Sequence, residues 1–194
     1  MAEKYEMITR NGYDFGEVTS AMQKSIRRGD EDGALYWAVE LDLSNYGEYV
    51  WKRLRIITSE DVSIAAPMLP AVIHALYENW LAQRAKKDPR HKSERMFIVH
   101  AVMLLTRAKK CRIVDNATIS YYEENGRPGT VRPVPDFALD KHTRRGKMMK
   151  RGFEHFFAEG VQIANASDID DIYAERAKLC KMGEKEEPPD SLFD

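Results

Sequence analysis

Apolar residues recur at helical spacing through most of the first 125 positions. Glu17 to Arg28 carries Val18, Ala21, Met22 and Ile26 on one face, and Gly29 ends the pattern. Asp30, with Glu31 and Asp32 behind it, suits the positive end of a second helix bearing Leu35, Ala38, Val39 and Leu41. The connection between the two is short, and short connections make antiparallel neighbours, so the spacing predicts a helical hairpin that buries Tyr36 or Trp37. A third helix, about Tyr46 to Ser59, turns Val50, Leu54 and Ile57 inward and Lys52, Arg53 and Arg55 outward. Beyond Pro67, Leu69, Val72, Ile73, Leu76 and Trp80 define a fourth, and Phe97, His100, Ala101, Leu104, Leu105 and Ala108 a fifth. A sixth covers Val114 to Glu124, with Val114, Thr118 and Tyr121 on one face and Gly126 placed to end it in a left-handed conformation. No useful stretch from Glu17 to Asn125 alternates with a period of two. The predicted fold is therefore all-α, a bundle of about six helices.

The pattern changes at "GRPGTVRPVP", Gly126 to Pro135, whose prolines and glycines cannot sustain a helix. The predicted organisation is an N-terminal arm at 1–14, a helical domain at 15–125, a linker at 126–135 and a basic and aromatic extension at 136–183. That extension is expected to hold a last helix from about Ser167 to Met182, and "EKEEPPDSLFD" at 184–194 is expected to form a disordered acidic tail.

Composition narrows the function classes. A chain of 194 residues with 43% hydrophobic residues can bury a core, and 30 lysines and arginines against 31 acidic residues leave no whole-molecule field toward nucleic acid. Only Cys111 and Cys180 are present, too few for a disulfide framework, so a reducing cytoplasm is the expected location. No apolar run approaches the roughly 18 residues of a membrane helix, so no membrane is expected among its partners. The sequence has no G-x-x-x-x-G-K-[ST], no G-x-S-x-G, and no H-x-x-x-H among His74, His91, His100, His142 and His155. We therefore expect no catalytic residue, metal site or cofactor, and read His74 and His100 as satisfied core or boundary histidines.

Two stretches remain as candidates for chemistry. In "TSEDVSIAAP", Thr58 to Pro67, the cluster Ser59, Glu60 and Asp61 could supply a nucleophile and two carboxylates, but no base or oxyanion site accompanies it. The expected role is structural, with the hydroxyl and carboxylates bonding free backbone amides as the third helix ends. The second candidate is "KHTRRGKMMKR", which holds Lys141, Arg144, Arg145, Lys147, Lys150 and Arg151 without an intervening acid and leads into Phe153, Phe156 and Phe157. Such a run can contact nucleic-acid phosphates while aromatic rings stack on bases; it can equally be a solvated surface with the rings buried. The clusters Arg84 to Lys92 and Arg107 to Arg112 are expected to be surface.

The order of "AMQKSIRRGDEDGALYWAVEL", "YVWKRLRIITSEDVSIAAP" and "HAVMLLTRAKKCRIVDNATISYYEE" is more specific than any of these. It resembles the C-terminal region of the RarA/MgsA family of AAA+ ATPases, which are related to Werner-helicase-interacting proteins and more distantly to clamp-loader subunits. Lys24, Ser25, Arg27, Asp30, Asp32, Ala34, Leu35, Tyr36 and Trp37 match the family's hairpin motif, and Arg53, Leu54, Ile57, Ser59, Glu60, Asp61, Val62 and Pro67 match its corner motif. The resemblance implies an oligomerising helical collar, a dimer or tetramer that acts in DNA replication or recombination. It implies that Arg53, Ser59, Glu60, Asp61, Trp37 and Tyr36 organise the corner and an interface. The family's ATPase domain has no counterpart in this sequence, so the expectation is a free-standing, non-enzymatic collar that works with or against a separately encoded AAA+ ATPase or replication protein, or else serves as a single-stranded DNA-binding accessory. Where the family reads "GLADP", this chain has Ser63, Ile64, Ala65, Ala66 and Pro67, losing a glycine and an acid at the corner.

Overall fold

The structure, a computed structural model, describes residues 7–86 and 92–183. The described chain is helical and contains no strand; its one extended pairing is an isolated antiparallel bridge between Ile8 and Asp14. The expectation of an all-α protein holds. Two compact units follow one another, Met1–Pro128 and Gly129–Asp194. The first six residues of the expected arm and the expected acidic tail lie outside the described residues.

In the first unit α1 (Phe15–Arg28) starts where the Asp14 carboxylate accepts the Glu17 amide at 2.8 Å. It stops at Gly29, whose φ of +76° lets the Gly29 and Asp30 amides turn back onto the Ile26 and Ser25 carbonyls. Asp30 then caps α2 (Glu31–Leu41) through the Gly33 amide at 3.0 Å, so one residue closes one helix and opens the next. A π-type turn, Asp42–Tyr46, with Asn45 left-handed, leads into α3 (Gly47–Ile57). A second π-type turn, Thr58–Val62, and a 3-10 turn, Ser63–Ala65, lead into α4 (Leu69–Ala85). The unit is completed by α5 (Arg95–Arg107) and α6 (Ile113–Asn125).

The core forms where α5 packs against α1, α2, α3 and α4. Met22, Ile26, Leu41, Val50, Leu54, Ile57, Ile73 and Leu105 are fully or almost fully buried there, as the helical spacing predicted for each. Trp51 was not anticipated, yet it lies fully buried 6.0 Å from the Trp80 ring.

Several expectations need correction. On α5 the deepest face is Ile98, Ala101, Val102 and Leu105, rotated from the predicted stripe, because a helix surrounded by four neighbours buries more than one stripe. His100 and His74 are exposed rather than core or boundary residues, and His74 faces Glu78 one turn on at 3.9 Å. Tyr36 stands 49% exposed, and the half-buried Trp37 takes the inner place beside it. Gly126 is not left-handed: at φ −71° its amide continues the helical turn onto the Tyr122 carbonyl, and α6 runs one residue beyond Glu124.

The second unit, described by itself, is built of short pieces. A 3-10 turn (Asp136–Ala138) precedes α7 (Arg144–Met148); α8 (Phe153–His155) runs into a π-type turn, Phe156–Gly160; and α9 (Ala174–Met182) is shorter than the predicted Ser167 to Met182.

Candidate functional site

The corner after α3 is an ion-pair node. Thr58 keeps its hydroxyl on the helix by donating to the Leu54 carbonyl at 2.8 Å, and the widened turn that follows carries Asp61 inward until it is fully buried. A buried carboxylate is costly unless charges and donors meet it. Here Arg27 Nε donates to Asp61 Oδ1 at 2.6 Å, Arg112 Nη1 donates to the same oxygen at 3.0 Å, and Gln23 Nε2 reaches Oδ2 at 3.3 Å. Glu60 takes Arg27 Nη2 at 2.9 Å and Arg112 Nη1 at 3.3 Å, with Arg53 Nη2 at 3.8 Å. Arg53 also donates to Gln23, and Arg112 to Asp115. Three arginines thus meet the three carboxylates of Glu60, Asp61 and Asp115, tying α1, α3, the corner and the start of α6 into one neutral cluster.

The expected capping role is therefore corrected: both carboxylates bond side chains, because guanidinium groups from α1 and from the α6 approach already face them. The backbone contribution runs the other way, with the Asp61 carbonyl accepting the Cys111 amide at 2.9 Å. Burial works against the Arg112 charge, but Asp115, Asp61 and Glu60 outweigh it and hold the guanidinium more firmly protonated than usual. With its carboxylates committed to arginines, the cluster offers neither a free base nor an activated nucleophile, and Ser59 stands exposed at its edge.

In the Arg107 to Arg112 run Lys109 is exposed at the surface, whereas Arg107, Lys110 and Arg112 have partners within the fold. Arg107 pairs with Glu31 at 2.6 Å, and Lys110 Nζ donates to the carbonyls of Leu105, Thr106 and Ala108 at 2.7–2.8 Å, closing the end of α5. Burial depresses the Lys110 amine below its ordinary value, with Asp61 acting in the opposite sense. Part of the Arg84 to Lys92 cluster lies outside the described residues; Arg84 sits over the Trp80 ring at 4.6 Å.

Tyr36 and Trp37 are not part of the node. They lie on α2 beside Tyr13 of the turn before α1, whose ring meets Trp37 edge-on at 5.5 Å. Two surface features border the node. A cleft of about 530 Å3 separates Lys52, Arg55, Ile56 and Ser59 from Val114 and Thr118. Beside it α6 buries none of its residues and exposes Ile113, Val114, Ile119, Tyr121 and Tyr122.

In the second unit the basic run divides. Arg151, only 15% exposed at its side chain, donates to the carbonyls of Asp136 and Leu139 at 2.8 Å and to both Asp136 carboxylate oxygens at 2.7 Å. Lys141 Nζ sits 3.1 Å over the Phe153 ring, which also stacks on Phe157 at 6.3 Å. Phe156 meets His142 and Phe157 edge-on. Phe153 is thus half-buried and already in contact with Lys141 and Phe157, while Arg144, Arg145, Lys147 and Lys150 are exposed.

Sequence reasoning anticipated Glu60, Asp61 and Arg53 as a unit but missed Gln23 and Arg112 as their partners. Arg27 carried a signal, since it stands in the hairpin motif. Arg112 had only its place in a basic run. Among the described residues no group of three or more His, Cys, Asp or Glu is arranged to hold a metal ion, and no helix is long and apolar enough to cross a membrane.

No family model matches the chain. Among curated proteins it is similar to replication-associated recombination protein A of Haemophilus influenzae, 28% identical over 178 residues that cover 90% of this chain and 36% of that protein. The protein of the same description from Bacillus subtilis is 29% identical over 143 residues, 72% of this chain and 31% of its own length. That from Escherichia coli K12 is 27% identical over 176 residues, 88% and 36%. The chain spans about a third of the length of these curated relatives. They are of the family that the hairpin and corner motifs resemble, and the chain is related to them.

Proposed function

We propose that this chain is a non-catalytic helical component of DNA replication or recombination that works by self-association, as a dimer or tetramer, and through it engages a separately encoded AAA+ ATPase or replication protein. The description of its relatives supports the process. The observation that carries the assembly is α6: thirteen residues long, anchored at its start through Arg112 and Asp115, it buries none of its own side chains while Ile119, Tyr121 and Tyr122 are 56%, 56% and 80% exposed. Exposed apolar residues grouped on one anchored helix mark a contact surface. The node supports the reading further, since it fixes α6 to α1 and α3 by charge while Ile119 and Tyr122 stay exposed. Light scattering after size-exclusion chromatography at micromolar concentration tests it. An oligomer that becomes monomeric in I119E/Y122E, with unchanged circular dichroism, is the expected result; a strictly monomeric wild-type chain would count decisively against the assembly.

A second reading, that the second unit contacts nucleic acid through Lys141 to Arg151, is favoured by one observation. Arg144, Arg145, Lys147 and Lys150 are exposed and form no salt bridge to any acidic side chain among the described residues.

A further inference from the structure

The segment 136–151 is held together from within. Arg151 ties its end to Asp136 and to the Leu139 carbonyl, and Leu139 is 6% exposed. The Thr143 hydroxyl donates to the Asp140 carbonyl and accepts the Gly146 amide, each at 3.0 Å. Gly146 is buried so closely on Asp140 that a Cβ there would lie 1.8 Å from its carbonyl oxygen. One side of α7 is therefore pressed onto the preceding turn, and its exposed positions carry Arg144, Arg145 and Lys147, with Lys150 just beyond.

Six cations of the run thus have two kinds of work. Lys141 and Arg151 build the knuckle, whereas the other four stand on its surface. The half-buried rings of Phe153, Phe156 and Phe157 already contact one another, Lys141 and His142. A cationic face on a braced turn loses little freedom on binding, and guanidinium groups match phosphate oxygens in geometry. An anionic lipid surface would call for a longer apolar face than the neighbouring Met148 and Met149 provide.

Resting on the nucleic-acid reading above, we infer that Arg144, Arg145, Lys147 and Lys150 bind backbone phosphates without base stacking by Phe153, so that the knuckle takes single and double strands alike, whatever their sequence. The probes are a single-stranded oligonucleotide and the duplex made from it, in two sequences, titrated by fluorescence anisotropy against the full chain across a salt series. Wild type is expected to bind all of them with steep salt dependence. R144Q/R145Q/K147Q/K150Q is expected to flatten the slope of log K against log salt by about 3.6 on duplex and about 2.8 on single strands, the values for four phosphate contacts. R144K/R145K, which keeps the charge, is expected to preserve it, and circular dichroism reports whether each variant is folded. If wild type binds neither form, the nucleic-acid reading itself fails. If it binds but the quadruple variant keeps the full slope, the contact lies elsewhere and this inference alone falls. Binding confined to single strands and lost in Phe153→Leu would restore base stacking and overturn it, as would a preference for phosphatidylserine vesicles that DNA does not compete away.

Discussion

Ser63 holds φ +56° and ψ −140°, a combination that glycine adopts freely and a residue with a Cβ does not. Its hydroxyl is buried without a hydrogen-bond partner among the described residues. The corner motif of the resembled family has glycine here, so the departure visible in sequence coincides with a backbone that still has the glycine shape. Ser63→Gly is expected to stabilise the chain by about 1 kcal/mol, read as a higher urea midpoint; a lower midpoint would mean that the serine makes a contact worth more than its strain. Asp61→Ala should act in the opposite direction. It takes the buried carboxylate from Arg27 and Arg112 and leaves them Glu60, and a loss of about 2–3 kcal/mol is expected, below the usual cost of breaking a buried pair because both arginines are about a third exposed and keep that second partner. A midpoint unchanged in Asp61→Ala would show that the node does not hold the corner. Neither effect could be assigned from sequence, since Asp61 reads as a polar corner residue until the approach of Arg112 is known.

Among the elements, the turn at 7–14 is attached to α2 through Glu40, which is 3% exposed. The Asn11 amide and side chain donate to its two oxygens at 3.1 and 2.7 Å, and Arg10 lies 3.5 Å away. Burial would raise the Glu40 carboxyl, but the bonds from Thr9 and Asn11 and the Arg10 charge outweigh it and hold it below its ordinary 4.5. A depressed carboxylate stabilises the fold fully above its unfolded value and loses that contribution as pH falls through the folded value. Asp42 acts with the opposite sign: burial raises it despite Arg95 and Arg84, so its charged form weighs against the fold and acid relieves it. Urea midpoints measured from neutral pH down through the carboxylate range are therefore expected to fall less steeply in Glu40→Gln than in wild type. Parallel curves would exclude Glu40 as the sensor. In the second unit, Gly146→Ala is expected to abolish the packing of α7 on Asp140, seen as lost amide protection across 140–151.

For the whole molecule, self-association has a thermodynamic signature that does not depend on knowing the partner face. An assembly that forms from folded chains raises the thermal midpoint with protein concentration, whereas a monomer shows none of this. Wild type is expected to gain several degrees on going from low to high micromolar concentration, and I119E/Y122E to gain none; concentration-independent melting of wild type would remove the assembly. The overall charge of −1 neither drives nor opposes such contacts, so the test rests on the local apolar surface that I119E/Y122E alters.

The helices of the first unit were legible because their signals are local. Periodic Val18, Met22, Ile26 and Val50, Leu54, Ile57, the cap at Asp30 and the stop at Gly29 act within a few residues of themselves, and each is where the structure places it. The motifs around them carried the relationship to replication-associated recombination proteins, since ordered identities persist where a fold is retained. The partners of Asp61, the inward turn of Trp51, the outward turn of His100 and the division of the basic run were not legible. Each rests on side chains brought together by packing: Arg112 is 51 residues from Asp61, and Arg151 is 15 from Asp136. A charge in a linear sequence carries no information about which opposite charge will be desolvated beside it. Only the folded chain sets that distance, and with it whether an arginine is a strut or a free hand.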